Sequence, residues 1–250
     1  MTEIMTIFRT ERFVAVVRNI SPENIVDVSK ALYKGGVRLM EITYNQSLAD
    51  PISQAQKSIS LLAEAMEGKM VIGAGTVLSA GQVRAARDAG ARFIVSPNTN
   101  PEVIQETRRL GLVSVPGAMT PTEIELAYHT GGDMIKLFPA DNLGYHYIKN
   151  ITAPLSHIPI MASGGVNPDT IPLYFQVGVT AAAAGIKKSP KGQKPILPPS
   201  KDSRRISGEY GIYSTDIKGK VGSFYENNGC QSLYDGCFPD QLDFYQGGDG

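Results

Sequence analysis

Eight short apolar runs rich in strand-forming residues recur along the first 186 residues, and segments with helix signals separate them. The runs cover residues 13–17, 38–44, 69–77, 92–98, 112–118, 134–140, 158–165 and 179–186. Four intervening segments begin with a capping side chain followed by proline, at Ser21, Asn100, Thr120 and Asn167. Glycines typical of helix ends follow at Gly35, Gly36, Gly90, Gly111, Gly131, Gly132 and Gly178. This alternation predicts a parallel α/β fold.

Eight is the number of parallel strands at which a barrel closes with its interior filled by side chains. The sequence therefore predicts a (β/α)8 TIM barrel over residues 1–186. A doubly wound open sheet is the alternative, but it normally has a glycine-rich turn after its first strand, and "VVRNISPE" has none. In a barrel, functional side chains are expected at the carboxyl ends of the strands.

Charge and composition exclude several classes of partner. Lys and Arg number 24, as do Asp and Glu, so the chain lacks the basic surface typical of a nucleic-acid-binding protein. No apolar stretch approaches the roughly 20 residues that span a membrane, and the charged N-terminus does not resemble a signal peptide. We expect a cytoplasmic protein. The cysteines and histidines lack metal-ligand spacing, so no metal or other cofactor is predicted: Cys230, Cys237, His129, His146 and His157.

Two charged residues lie within runs that are otherwise apolar. Side chains alternate between the two faces of a strand, so Lys136 shares a face with Met134 and Phe138 and is predicted to point into the barrel. The same alternation in the second run predicts that Glu41 also points inward. A buried ammonium or carboxylate is costly unless it is paired or functional.

The ends of the first and third runs add polar groups to this interior. Thr76 shares a face with Ala74, and Gly73 and Gly75 are expected to leave open space beside them. Arg18 at the end of the first run can bind a substrate carboxylate through its forked guanidinium. The predicted interior therefore holds a lysine, a glutamate, a hydroxyl and room for a ligand.

The lysine and glutamate permit two interpretations. If Glu41 contacts Lys136 directly, the pair is a buried salt bridge with a structural role. If substrate or water separates them, the lysine can act as a nucleophile. A lysine amine of ordinary pKa ~10.4 is almost fully protonated at neutral pH, so a Schiff-base lysine must be desolvated or placed near other cations.

The seventh run ends in "ASGGVNPDT", in which Ser163, Gly164 and Gly165 lead to a helix predicted to begin at Asn167. Glycines let backbone N–H groups approach an anion, and a helix N-terminus favours negative charge. The segment is predicted to bind phosphate. An ordinary glycine turn is the alternative.

Six motifs in order resemble the 2-keto-3-deoxy-6-phosphogluconate and 4-hydroxy-2-oxoglutarate aldolase family. They are "RLMEITYN", "VIGAGTVLSAGQV", "FIVSPNTNPEVI", "SVPGAMTPTEI", "MIKLFPA" and "MASGGVNPDT", and the resemblance covers roughly residues 8 to 186. It implies a homotrimeric barrel and a metal-independent class I aldolase, a lyase of carbohydrate metabolism such as the Entner-Doudoroff route. The implied reaction cleaves a 2-keto-3-deoxy-6-phospho sugar acid to pyruvate and glyceraldehyde 3-phosphate, and also 4-hydroxy-2-oxoglutarate to pyruvate and glyoxylate.

The resemblance also implies a role for each matching residue. Lys136 would form the Schiff base, Glu41 would be the general acid and base, and Thr76 would bind the pyruvoyl carboxylate. The pyruvate end would be lined by Arg18, Pro97 and Phe138, and phosphate would be held by Ser163, Gly164 and Gly165.

Two positions depart from the family pattern. Asn45 stands where many similar proteins have arginine, and this form resembles the branch that acts on the epimer 2-keto-3-deoxy-6-phosphogalactonate. Ile186 stands where the family has a serine that completes the phosphate site.

Residues 187–250 differ in composition from the rest of the chain, because Pro, Gly, Ser, Lys and Asp punctuate them without a sustained apolar pattern. We predict an irregular or disordered tail and a barrel without a normal eighth helix. A frame change in the gene or an appendage for a partner would explain this segment. The alternative for function is a catalytically impaired barrel, or a noncatalytic one that binds phosphate.

Overall fold

The structure is a computed structural model that describes residues 2–186. The predicted tail and the predicted lack of a normal eighth helix lie outside these residues. In the described range, no helix is long and apolar enough to cross a membrane. No group of three or more His, Cys, Asp or Glu side chains in that range is arranged to hold a metal ion.

Strands and helices alternate through the described chain. The strands β1 to β9 are Phe13–Val17, Leu39–Thr43, Val71–Gly75, Phe93–Val95, Val113–Val115, Gly117–Ala118, Ile135–Leu137, Ile160–Ser163 and Ala181–Gly185. The helices α1 to α8 are Glu3–Glu11, Pro22–Lys34, Pro51–Ala65, Ala80–Asp88, Pro101–Arg109, Pro121–Thr130, Ala140–Thr152 and Ile171–Gln176.

The described strands form one parallel sheet in the order β5-β4-β3-β2-β1-β9-β8-β7-β6. The two end strands, β5 and β6, are halves of a single predicted run that Pro116 separates, and proline has no N–H to donate to a neighbouring strand. Because β5 pairs with β4 and β6 pairs with β7, this run connects the two ends of the sheet. The barrel prediction is confirmed, and the open doubly wound sheet is wrong.

The predicted inward and outward faces of the central strands are also confirmed. Met134 belongs to the interior core, whereas Ile135 and Leu137 pack in the layer between sheet and helices. Likewise Leu39 lies inside the barrel and Met40 lies in the helix layer. Lys136 and Glu41 therefore point into the barrel.

Helix α1 was not predicted from the sequence, and it lies at the amino-terminal end of the barrel. The Thr2 hydroxyl caps it by accepting a hydrogen bond from Met5 N. Phe8 is fully buried, and its ring meets the Phe93 ring edge-on with 5.1 Å between centroids. This helix packs into the interior core at that end, opposite the carboxyl ends of the strands.

Arg12, at the end of α1, contacts α8 and the segment that leads from α8 to β9. Its guanidinium donates to the carbonyls of Val179 and Thr180 at 2.9 Å and lies 3.8 Å from the centre of the Phe175 ring. Burial lowers the pKa of Arg12 to about 10. These contacts satisfy the buried cation and give it a structural role.

Most predicted helix starts are confirmed. Asn100 caps α5 with its side chain, and Thr120 with Glu123 forms a complete capping box at α6. Ser79, which is not followed by proline, caps α4 in the same way. Ser21 is also an N-cap residue, although its side chain does not bond to the helix backbone.

The predicted helix start at Asn167 is wrong. Its side-chain oxygen accepts hydrogen bonds from the N–H groups of Asp169 and Thr170, which form a turn, and α8 begins only at Ile171. An asparagine before proline stabilises such a turn as readily as a helix cap, so the residue types alone did not distinguish them.

Candidate active site

Lys136 lies in the middle of β7, where its strand neighbours are Gly117 and Met161. Only 7% of the residue is exposed. The ammonium nitrogen is 4.8 Å from the centre of the Phe138 ring, within the range of a cation–π interaction. Strand alternation and an apolar neighbour thus hold the amine in a desolvated position.

Glu41 occupies the middle of β2 and is 1% exposed. Its Oε2 atom is buried and has no hydrogen-bond partner among the described residues. Burial raises the pKa of Glu41, while the positive charges of Lys136 and Arg18 partly oppose that rise. The carboxyl group therefore holds a proton more readily than an exposed glutamate does.

Lys136 and Glu41 affect each other electrostatically but form no direct ion pair within residues 2–186. A structural salt bridge would require close contact between their charged atoms. The arrangement instead favours the interpretation in which substrate or water connects the two groups.

The residues of β3 that face the barrel interior are not the predicted ones. Ala74 packs in the helix layer, so Gly73 and Gly75 are the residues on the inner face. A Cβ atom at Gly75 would overlap the Glu41 carboxylate, and one at Gly73 would overlap the Phe93 ring. The expected open space beside these glycines is filled by the two neighbouring side chains.

Thr76 follows β3 and has a positive φ of 56°, so it departs from the strand alternation that was used to place it. The Gln46 side chain donates a 2.7 Å hydrogen bond to the Thr76 carbonyl, and Gln82 in turn donates to Gln46. The spacing of Ser79 and Gln82 fits a capping box, but the Gln82 side-chain oxygen accepts from Leu78 N and not from Ser79 N, so the box is incomplete. No role was predicted for Gln46. No sequence signal reveals this pair, because their side chains meet only through the folding of two loops.

Arg18 and Asn45 follow the first two strands and lie at the same end of the barrel. Arg18 is exposed, and its charge acts on the pKa of Glu41. Asn45 donates to the side-chain oxygen of Asn19 at 3.3 Å, and Asn19 has a positive φ of 55°. Asparagine tolerates a positive φ better than most residues do, so the residue type at position 19 is compatible with this turn.

Pro97 follows β4 and lies against Gly117, the strand neighbour of Lys136. A Cβ atom at Gly117 would overlap the Pro97 carbonyl, so the glycine allows the two backbone segments to approach closely. The structure thus brings Pro97 to the segment beside Lys136.

The turn after β8 contains the residues predicted to bind phosphate. Ser163 ends the strand in a buried position, and Gly164 and Gly165 have positive φ values of 93° and 66°. Asp141 lies beside this turn, and its N–H donates to the Gly164 carbonyl at 3.3 Å. Because α8 starts at Ile171, the predicted helix N-terminus does not directly follow the glycines.

Comparison with known proteins gives consistent results for this barrel. A model of the family described as "KDPG and KHG aldolase" matches residues 4–195. The chain is 34% identical over 173 residues to 2-dehydro-3-deoxy-6-phosphogalactonate aldolase of Escherichia coli K12. The matched region covers 69% of this chain and 82% of that protein. The chain is also 32% identical over 175 residues to 2-dehydro-3-deoxy-phosphogluconate aldolase of Treponema pallidum, covering 68% and 80%. A solved structure described as native KDPGal superposes with a TM-score of 0.71 at 28% identity, covering 86% of this chain and 96% of that one.

Proposed function

Because the chain belongs to the KDPG and KHG aldolase family, we propose that it is a class I aldolase, a lyase that releases pyruvate from a 2-keto-3-deoxy-6-phospho sugar acid. The observation that carries this proposal is the pair of buried groups at one end of the barrel. Lys136 and Glu41 both point inward, and neither forms a direct ion pair within the described residues 2–186. Such groups destabilise a core, so their presence favours a catalytic role.

Covalent chemistry begins at Lys136. Its amine attacks the C2 carbonyl of the keto acid, and loss of water gives an iminium ion. The iminium withdraws electrons, so the C3–C4 bond can break with its electron pair passing to the nitrogen. The 7% exposure of Lys136 shields the amine and the iminium formed on it from bulk water.

Glu41 supplies and removes the protons in this scheme. Its carboxylate takes the C4 hydroxyl proton as the aldehyde product leaves, and the protonated form then returns a proton to C3 of the enamine. Hydrolysis of the iminium frees pyruvate and regenerates Lys136. A pKa raised by burial suits a carboxyl group that must accept and return a proton in one cycle.

The pyruvate end of the substrate is assigned to residues that surround the lysine. The guanidinium of Arg18 and the turn at Thr76 are proposed to bind the carboxylate, which would place C2 near Lys136. Phe138 and Pro97 are proposed to line the methylene side, supported by the position of Phe138 over the amine and of Pro97 beside Gly117.

The distal end is assigned to Asn45 and to the turn from Ser163 to Gly165. Positive φ values in that turn orient backbone N–H groups in a way that can bind phosphate. Asn45 is proposed to contact the C4 to C6 region and to favour the galactonate epimer. Relatives named for the two epimers are 34% and 32% identical to this chain, and comparing turnover of the two epimers tests the preference.

Pyruvate release from both phosphorylated epimers and from 4-hydroxy-2-oxoglutarate tests this function. We expect turnover that survives a chelator and is lost in Lys136→Met. Lys149→Met, which changes an exposed lysine at the end of α7, serves as the control and should retain activity. A wild-type protein that binds phosphate but releases no pyruvate would instead be the noncatalytic barrel.

We further propose a cytoplasmic homotrimer, on the basis of the family resemblance and the charged substrates. Light scattering on the purified full chain measures the assembly directly. A mass three times that of the 26.9 kDa chain is expected. A monomer with full activity would contradict the proposed homotrimer and leave the catalytic proposal unaffected.

A further inference from the structure

Gln82 lies in the first turn of α4, where 6% of it is exposed. Both ends of its amide are engaged: the oxygen accepts from Leu78 N at 2.7 Å, and the nitrogen donates to the Gln46 oxygen at 3.1 Å. The Gln82 main-chain carbonyl accepts a hydrogen bond of 3.1 Å from the Tyr44 hydroxyl. The two side-chain contacts therefore fix the amide in one orientation, and the third holds the backbone of the residue.

Gln46 continues the connection to the candidate site. Its amide nitrogen donates to the Thr76 carbonyl at 2.7 Å, so Gln82, Gln46 and Thr76 form a continuous chain of hydrogen bonds. The chain joins the loop after β2 to the loop after β3. Those loops follow the strands that carry Glu41 and the glycines beside it.

The backbone at Thr76 needs such support. Its φ of 56° lies in the left-handed region, which is strained for a β-branched residue. Strained conformations persist where the surrounding structure over-determines them, and they are frequent at functional sites. The hydrogen bond from Gln46 to the Thr76 carbonyl holds that peptide group directly.

We propose that Gln82 is a positioning residue that acts through Gln46 to hold Thr76 where the carboxylate of the keto acid binds. The inference rests on the proposed function and adds two residues to it. An amide is required at both positions because each side chain must accept one hydrogen bond and donate another. Glutamate lacks the donor, and methionine has a similar shape but neither group.

A purely structural role for the two glutamines is the competing explanation, and pyruvate binding separates the two. Borohydride trapping is measured against pyruvate concentration for Gln46→Met, Gln82→Met and the double variant. Each single variant should raise the half-saturating concentration about tenfold, the effect of losing roughly one hydrogen bond. The amount trapped at saturation should not change, because Lys136 is untouched.

The double variant tests whether the two glutamines act in series. Removing either one interrupts the same chain, so the double variant should be no worse than the more affected single variant. Gln56→Met is the matched control, since Gln56 donates a similar 3.1 Å bond to the Ala85 carbonyl away from Thr76. It should lower the melting temperature slightly and leave the half-saturating concentration unchanged.

Unchanged half-saturation in Gln46→Met, with only a lower melting temperature, would overturn the proposal. Gln46 is exposed, so this variant carries the test even if Gln82→Met does not fold. Crystal structures of the wild type and Gln46→Met test the proposal independently of catalysis. The proposal requires the backbone conformation at Thr76 to differ between the two. Failure of the wild type to trap pyruvate counts against the proposed function, whereas an unchanged turn counts against this inference.

Discussion

The Glu41 carboxylate occupies the space that a side chain at Gly75 would need. The two residues lie on adjacent parallel strands, with Thr43 opposite Gly75 in the register. Glycine at this position therefore sets where the buried carboxyl group can lie. The relationship links a backbone feature of β3 to the proposed acid and base on β2.

Gly75→Ala should displace Glu41 and lower turnover by about 10²-fold to 10⁴-fold, the usual contribution of a general acid or base. Pyruvate should still be trapped on Lys136, although more slowly. Gly81→Ala is the control, because its Cβ would meet only Ser79 Oγ at 3.8 Å, and alanine favours the helix. Normal turnover in Gly75→Ala would show that Glu41 is not held in place by this contact.

Glu41→Gln should make the protein more stable at neutral pH. Because the folded pKa of Glu41 is raised, the folded protein holds the proton more tightly than the unfolded chain does. The wild type therefore loses stability relative to the variant as pH rises from the unfolded pKa through the folded one. Urea unfolding at pH 4 and pH 8 should show a wider gap at pH 8.

Glu123→Gln should behave in the opposite way and serves as the control for Glu41→Gln. Hydrogen bonds from Met119 N and Thr120 N lower the pKa of Glu123. Its stabilising effect is present at neutral pH and is lost as pH falls through the folded pKa. Parallel pH profiles for the two variants would contradict the assigned environment of Glu41.

The fold was predictable where local chemistry and burial agree. Buried parallel strands are continuously apolar, and capped helices with glycine ends separate them, so the eight runs correspond to the observed strands. Helix α1 was not predicted, because its apolar residues are buried only by tertiary contacts with the end of the barrel: Ile4, Met5 and Phe8.

The inward-facing residues of the candidate site were predictable only where the strands are regular. Alternation along β2 and β7 placed Glu41 and Lys136 correctly, because both strands are regular at those residues. It failed at β3, where the inner face belongs to glycines and Thr76 leaves the strand conformation. The contact between Gln46 and Gln82 joins separate loops, so no local pattern encodes it.

Gly165→Ala should raise KM for phosphorylated substrates about tenfold and leave pyruvate trapping unchanged. A Cβ at Gly165 would overlap the Asp141 side chain and disturb the proposed phosphate turn. Gly144→Ala is the control, because it shares a positive φ but its Cβ would meet open space. Equal losses for phosphorylated and unphosphorylated substrates would argue against phosphate binding at this turn.

Phe8→Ala should destabilise the barrel by about 3–5 kcal/mol, because it removes a fully buried ring from the interior core. Phe8→Leu should cost less, since it keeps much of the volume and loses the edge-on contact with Phe93. Leu126→Ala, at a residue that is 52% exposed, should change stability by less than about 0.5 kcal/mol. Chemical denaturation measures all three, and a small effect of Phe8→Ala would show that α1 contributes little to the core.

The central claim is that Lys136 forms a Schiff base with pyruvate. Loss of water joins C2 of pyruvate to the lysine nitrogen, and hydride from borohydride reduces the iminium to a stable secondary amine. Peptide mass spectrometry of the treated full chain should find the adduct on the peptide that contains Lys136, and Lys136→Met should give none. An unmodified Lys136, or an adduct on another lysine that persists in Lys136→Met, would contradict the account.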